Sequence, residues 1–165
     1  MTITLPSELT WAMSQIGCDF PDADEDKLEE MGRAWASFAD TLRGLVDEVD
    51  KPAQAVWTAN KGKQIDAFQK AWSGPEAPSM NLRDGADAAA MIAVGFSTAA
   101  TVVVGLKVLC IEEAGQFLAL CIATAAAAET IIGGIIGVGA VIAKRIIAQK
   151  AIDAAIEYAI EKLTT

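Results

Sequence analysis

The chain of 165 residues contains no histidine. Without imidazole there is no Ser-His or Cys-His nucleophile pair, no His general base and no His metal ligand. Basic residues are also scarce, 13 Lys and Arg against 22 Asp and Glu, for a net charge of −9. They gather only in short pairs such as Lys144-Arg145. The basic stripe that phosphate recognition requires is therefore missing, and no nucleic-acid partner is expected. Attraction to an anionic membrane is disfavoured on the same ground. Three cysteines, Cys18, Cys110 and Cys121, are an odd number at no metal-ligand spacing. On one helix Cys110 and Cys121 would stand roughly 16 Å apart, beyond the roughly 7 Å that a disulfide bridges. All three are read as small buried hydrophobes. Residues 1–9 lack the basic region and apolar core of a secretory signal, so export would need another route.

What is present favours helix. About a fifth of the chain is alanine and no period-two alternation marks a strand. Acidity is uneven, with 14 Asp and Glu against 7 Lys and Arg in residues 1–80 and 8 against 6 in residues 81–165. The sharpest pattern is Leu28, Met31, Trp35, Phe38, Leu42, Leu45 and Val49, an unbroken alternation of three- and four-residue steps. Such a stripe cannot be buried by its own helix and calls for a partner alongside. Ile65, Phe68 and Trp72 repeat the step after a break at Trp57, Asn60 and Gly62, which predicts an antiparallel helical hairpin. Trp35, Phe38, Phe68 and Trp72 are expected in its core, with Trp57 either locking the turn or serving as an exposed docking point.

Around this hairpin, a short first helix is expected from Ser7 as N-cap to Gly17 at the left-handed closing position. Its inward residues would be Leu9, Ala12, Met13 and Ile16, with Trp11 lying across a neighbour. Phe20-Pro21-Asp22 would begin the second helix, with Asp22, Asp24, Glu25 and Asp26 at the positive end of its dipole. A calcium site built from those carboxylates would need glycine and spaced carbonyls that are missing, so no metal is expected. This helix would run to about Asp50, with Pro52 marking its fraying end or a kink. The third would span Gly62 to Trp72 and stop at the linker Ser73-Gly74-Pro75.

A long helix is then expected from Asn81 to about Ala128, with Leu82, Ala86, Ala89, Ala93, Phe96, Ala100, Val103 and Cys110 on one small-residue stripe. After a turn or kink at Gly133-Gly134, a last helix would extend from about Ile135 to Leu163, with Val138, Val141, Ile142, Ile146, Ala148, Ile152, Ile156, Ala159, Ile160 and Leu163 inward. The sum is an all-α, elongated helical bundle built on an antiparallel hairpin plus two long C-terminal helices. Residues 1–74 and 81–165 would form one joint domain. Nineteen uncharged residues from Ala88 to Leu106, with further uncharged stretches to Ala143, open an alternative: a membrane-active or pore-forming protein using residues 81–143. Against it, these stretches are rich in small residues, two are short, and none has basic or aromatic flanks.

The segment from Ile16-Gly17-Cys18-Asp19-Phe20-Pro21 through Asp24-Glu25 to Leu28, followed by Met31, Trp35, Ala39 and Leu42, resembles the WXG-like N-terminal domains of actinobacterial polymorphic toxins, which are type VII secretion substrates. Trp57, Gly62, Ala67, Phe68 and Trp72 are similar to the turn and second helix of the WXG hairpin, although four residues separate Trp57 from Gly62 where the motif has one. The resemblance implies a non-enzymatic targeting or adaptor domain without cofactor. It would dimerise, or pair with a small helical WXG-type partner, to deliver a toxin cargo to the type VII machinery, and be secreted without a signal peptide. The export signal of that system is Tyr followed four residues later by an acid. Here Tyr158 is followed by Lys162. A partner then carries the signal, or this chain is not itself the recognised substrate. No catalytic pair is expected, since adjacent Glu112 and Glu113 point about 100 degrees apart on a helix.

Overall fold

A computed structural model describes residues 5–127 and 131–164, and the side chains of 5–126 and 137–164. Every secondary-structure element among them is a helix: α1 (Ser7–Ile16), α2 (Glu25–Ala59), α3 (Lys63–Trp72), α4 (Pro78–Ala127) and α5 (Ile131–Thr164). The all-α class is as the periodicity predicts. The chain groups into two compact units, Lys27–Ser97 on one side and Met1–Asp26 with Thr98–Thr165 on the other, a division that does not follow the linker at Ser73-Gly74-Pro75.

Several helix ends differ from expectation. Pro6, not Ser7, is the N-cap of α1, and its carbonyl accepts the Thr10 amide while the Ser7 hydroxyl turns to Glu8. Gly17 closes α1 at φ 71°, where the Cys18 amide reaches back to the Met13 carbonyl at 3.0 Å, the use of glycine that a left-handed cap favours. The second helix begins at Glu25 rather than Asp22 and continues through Pro52 to Ala59. Proline removes one backbone bond there, while buried Ala53 and the Trp57 ring, 5.8 Å from Phe68, give the last two turns packing to keep. Pro78 opens α4, a position at which its missing N–H costs nothing. Gly133 and Gly134 belong to α5, so the turn expected there is absent. Glycine weakens a helix by about 1 kcal/mol without forcing a break.

In the unit Lys27–Ser97, the expected partnership changes. Only Gly32, Ala39, Val46 and Ala53 are buried on α2, a strict seven-residue row of mostly small side chains. This row faces α4, which runs antiparallel to it. A Cβ on Gly32 would lie 3.2 Å from Ser97 Oγ and 3.3 Å from the Ala93 carbonyl, so glycine permits the approach. Arg43 pairs with Asp87 at 3.2 Å farther along. The hairpin partner α3 covers only the last part of α2 and buries no residue fully. Thus the sequence stripe has the right period and the wrong phase: Leu28, Trp35 and Leu42 are half-buried, while Met31, Phe38 and Leu45 are 47, 48 and 42 % exposed. Phe38 is not core, and Trp35, Phe68 and Trp72 are only half-buried.

The other unit packs α1 against α4 and α5. Ala12, Met13 and Ile16 meet Cys110, Ala114, Phe117, Ala148 and Ile152 in one apolar core. The reading of all three cysteines as lone hydrophobes is corrected here, because Cys18 and Cys110, with Cα atoms 6.4 Å apart, form a disulfide. Only Cys121 is free. The inward face of α5 is also rotated: Ala148, Ile152 and Ala159 are buried, whereas Val138, Ile142, Ile146, Ile156, Ile160 and Leu163 are exposed. The α4 stripe holds as expected, with Ala86, Ala89, Ala93, Ala100 and Cys110 all buried.

Candidate functional site

Asp50 is the junction of the hairpin. The indole Nε1 of Trp72 donates to its Oδ1 at 2.9 Å and Arg83 donates to its Oδ2 at 2.6 Å, so one carboxylate ties α2 to both α3 and α4. Phe68 stacks between Trp57 and Trp72, at 5.8 and 5.7 Å between ring centres. Gly62, at φ 134°, precedes α3 and places its carbonyl to accept the Asp66 amide. The structure therefore brings Trp57, Phe68 and Trp72 together beside an anchor, Asp50, that the sequence reading took for a helix end.

The N-terminal motif is organised by a residue that periodicity passes over. Lys107 falls on the seven-residue row Ala86, Ala93, Ala100, Ala114 of α4 and is 8 % exposed. Its ammonium donates to the Ala23 carbonyl at 2.7 Å and to the Glu25 carboxylate, with the Phe20 ring centre 5.7 Å away. Phe20, Pro21, Asp24 and Glu25 thus belong to a short segment folded over one buried cation. A charge in a small-residue row needs such partners, and its presence in that register was the signal available in the sequence. No group of three or more Cys, Asp or Glu converges as a metal site among the described residues.

The third feature is the exposed apolar row of α2, Met31, Phe38 and Leu45, spaced by sevens and joined by the Trp35 ring, 5.9 Å edge-on to Phe38. It lies beside the buried row on the same helix, so among the described residues α2 has one apolar edge buried against α4 and another left about half exposed. A family model described as a WXG100-like domain matches residues 2–153. The chain belongs to the WXG100-like domain family. No curated protein and no solved structure matches it. As a WXG100-like domain it is a type VII secretion-related helical protein. Near its C-terminal end, α5 places the Lys162 ammonium 5.7 Å from the ring centre of exposed Tyr158.

Two carboxyls of this WXG100-like domain are held below their ordinary values. Glu25 is lowered from 4.5 chiefly by the hydrogen bond from Lys107, and Asp50 from 3.8 chiefly by the Trp72 indole, with Arg83 and Ser79 adding to it. A carboxyl with a depressed folded pKa stabilises above its unfolded value, and the gain is lost as pH falls through the folded one. The melting temperature should therefore fall from about pH 5 downward. The double variant Glu25→Gln/Asp50→Asn should melt lower at pH 7 and with a shallower acid slope. Melts at pH 7 and at low pH check this, and an identical slope in both proteins would refute it.

Proposed function

We propose that this WXG100-like chain is a non-enzymatic targeting domain that docks a helical partner for type VII export of a cargo such as a toxin. The observation that supports it is the half-exposed apolar edge of α2. Met31, Phe38 and Leu45 present one side of a helix at heptad spacing, the form in which a second helix is read. The occupant is a second copy of the chain or a small WXG-type helical protein. With Lys162 where the tyrosine signal needs an acid, the partner supplies that signal. Little ordering entropy is left to lose on docking, because α2 is already held by α4 through Gly32, Ala39 and Val46. On this reading the chain is exported by the type VII route.

Met31→Ser/Phe38→Ser/Leu45→Ser tests the reading. The triple variant should keep its helicity and fold, lose the oligomer or the complex with its partner, and reduce export of a fused reporter to the level of a chain lacking residues 20–73. Undiminished export by either variant would refute it.

A further inference from the structure

Lys107 and Cys110 stand three residues apart on α4, about one helical turn, and both fasten the same stretch of chain. Residues 18–24 form a non-helical strap between α1 and α2. Cys18 opens the strap and is bonded to Cys110. At the other end the Lys107 ammonium donates to the Ala23 carbonyl at 2.7 Å and to the Glu25 carboxylate. The strap is therefore tied twice, once by a covalent bond and once by a buried cation. A lysine in a row of buried alanines is unfavourable unless it is paired, and Ala100 and Ala114 show that a small apolar residue fills the same register.

From this double fastening we propose that Lys107 is a positioning residue for the disulfide: its hold on the strap directs Cys18 to Cys110, and away from Cys121, each time the bond closes. Both sulfurs lie in the apolar core, Cys18 5 % and Cys110 3 % exposed, so an external disulfide reaches neither while α1 is in place. With its ten residues α1 is too short to be stable as an isolated helix. It lifts locally while α4 and α5 stay clasped through Glu113 and Lys144. Closure then takes two exchanges with a small disulfide such as oxidised glutathione. One protein thiolate attacks it, which forms a mixed disulfide and expels one glutathione thiolate. The second protein thiolate attacks the protein sulfur of that mixed disulfide and expels the other. Two cysteine thiols are oxidised, the small disulfide is reduced, and the two protons end on the two glutathiones. A glutathione attached to either sulfur keeps α1 from repacking, so α1 no longer places Cys18 during the second exchange. Lys107 does.

Reach decides the partner. The competitor Cys121 is free and only partly buried, and it stands fourteen residues beyond Lys107, roughly 21 Å along α4. From Ala23 back to Cys18 the strap spans five residues, at most about 17 Å when fully extended. With Ala23 held, Cys18 meets Cys110 on a slack chain. Cys121 demands a strap drawn nearly straight, even allowing the roughly 7 Å that can separate the Cα atoms of a disulfide. A slack segment keeps far more conformations on closure than a stretched one, so the effective concentration of Cys110 is the higher. Releasing Ala23 and Glu25 lengthens the free segment and removes that discrimination. The inference uses neither the docking row on α2 nor the export route.

The test reduces the full chain, removes the reductant, and adds oxidised glutathione at a protein concentration low enough to suppress bonds between chains. Acid quenching at early times and mass spectrometry of non-reducing digests then read the first bond formed. The wild type should give Cys18 joined to Cys110 with Cys121 free. Lys107→Met should lower the ratio of that product to Cys18 joined to Cys121 by about tenfold. Lys107→Arg, whose guanidinium can serve the same two oxygens, should restore it. Glu25→Gln leaves the Ala23 contact and should shift the ratio in the same direction by less; should Lys107→Met not fold, that shift stands as the test. A lysine with a merely structural role would change the melting temperature of these variants and not which cysteines pair. Wild-type selectivity in both Lys107→Met and Glu25→Gln, or a wild type that joins Cys18 to Cys121 as readily as to Cys110, would overturn the proposal.

Discussion

Replacing Cys18 with Ser should lower the unfolding free energy by about 2–4 kcal/mol, as a shift in the urea midpoint under oxidising conditions. The bond joins residues 92 apart in sequence and fixes the exit of α1 to the middle of α4. Cross-linking so long a loop restricts the unfolded chain, and its removal costs the native state nothing of comparable size, since Cys18 and Cys110 already sit in an apolar core. Reductant gives the control: it should bring the wild type down to the midpoint of the variant and leave Cys18→Ser where it was. A wild-type midpoint indifferent to reductant would show that the two thiols are not joined in solution. Ile16, fully buried two residues before Cys18, remains packed in either state, so the variant should still fold.

That pairing was not legible in the sequence, and the reason is geometric. Helical spacing could exclude Cys110 with Cys121, but pairing Cys18 with Cys110 requires knowing that α1 lies along α4, which no periodicity within either segment carries. Helix type and the α4 stripe were legible because Ala86, Ala93 and Ala100 are small wherever the neighbour comes close. The face of α2 was misread for the converse reason. Trp35, Phe38 and Leu45 dominate any hydrophobic pattern, yet bulky side chains keep helices apart, and the closest approach selects Gly32 and Ala39 one position on. The same rotation occurs on α5, where Ala148 and Ala159 are buried while Ile146 and Ile160 face outward. Of the site, the aromatic group Trp57, Phe68 and Trp72 was legible as a cluster. Its anchor Asp50 was not, since a carboxylate near an apparent helix end reads as solvated. Lys107 could have been found by asking why a cation keeps the register of buried alanines.

Adjacent substitutions on α2 separate the two faces. Ala39 is 1 % exposed in the row turned to α4, and a leucine there must push the helices apart, an overpacking that costs about 1–3 kcal/mol. Phe38, 48 % exposed, loses only its edge contact with Trp35, so Phe38→Ser should change stability by about 0.5 kcal/mol or less. Chemical denaturation of both variants reads this difference directly. Were the stripe of large residues the true seam, the order would reverse, with Phe38→Ser unfolding readily and Ala39→Leu silent. The binding readout should divide the other way: at a temperature where both are folded, Ala39→Leu keeps its partner and Phe38→Ser loses affinity. A helix that holds its own fold with small residues leaves its large ones available for another chain. Finding both effects on neighbouring residues would tie the exposed row to recognition rather than to an imperfect core.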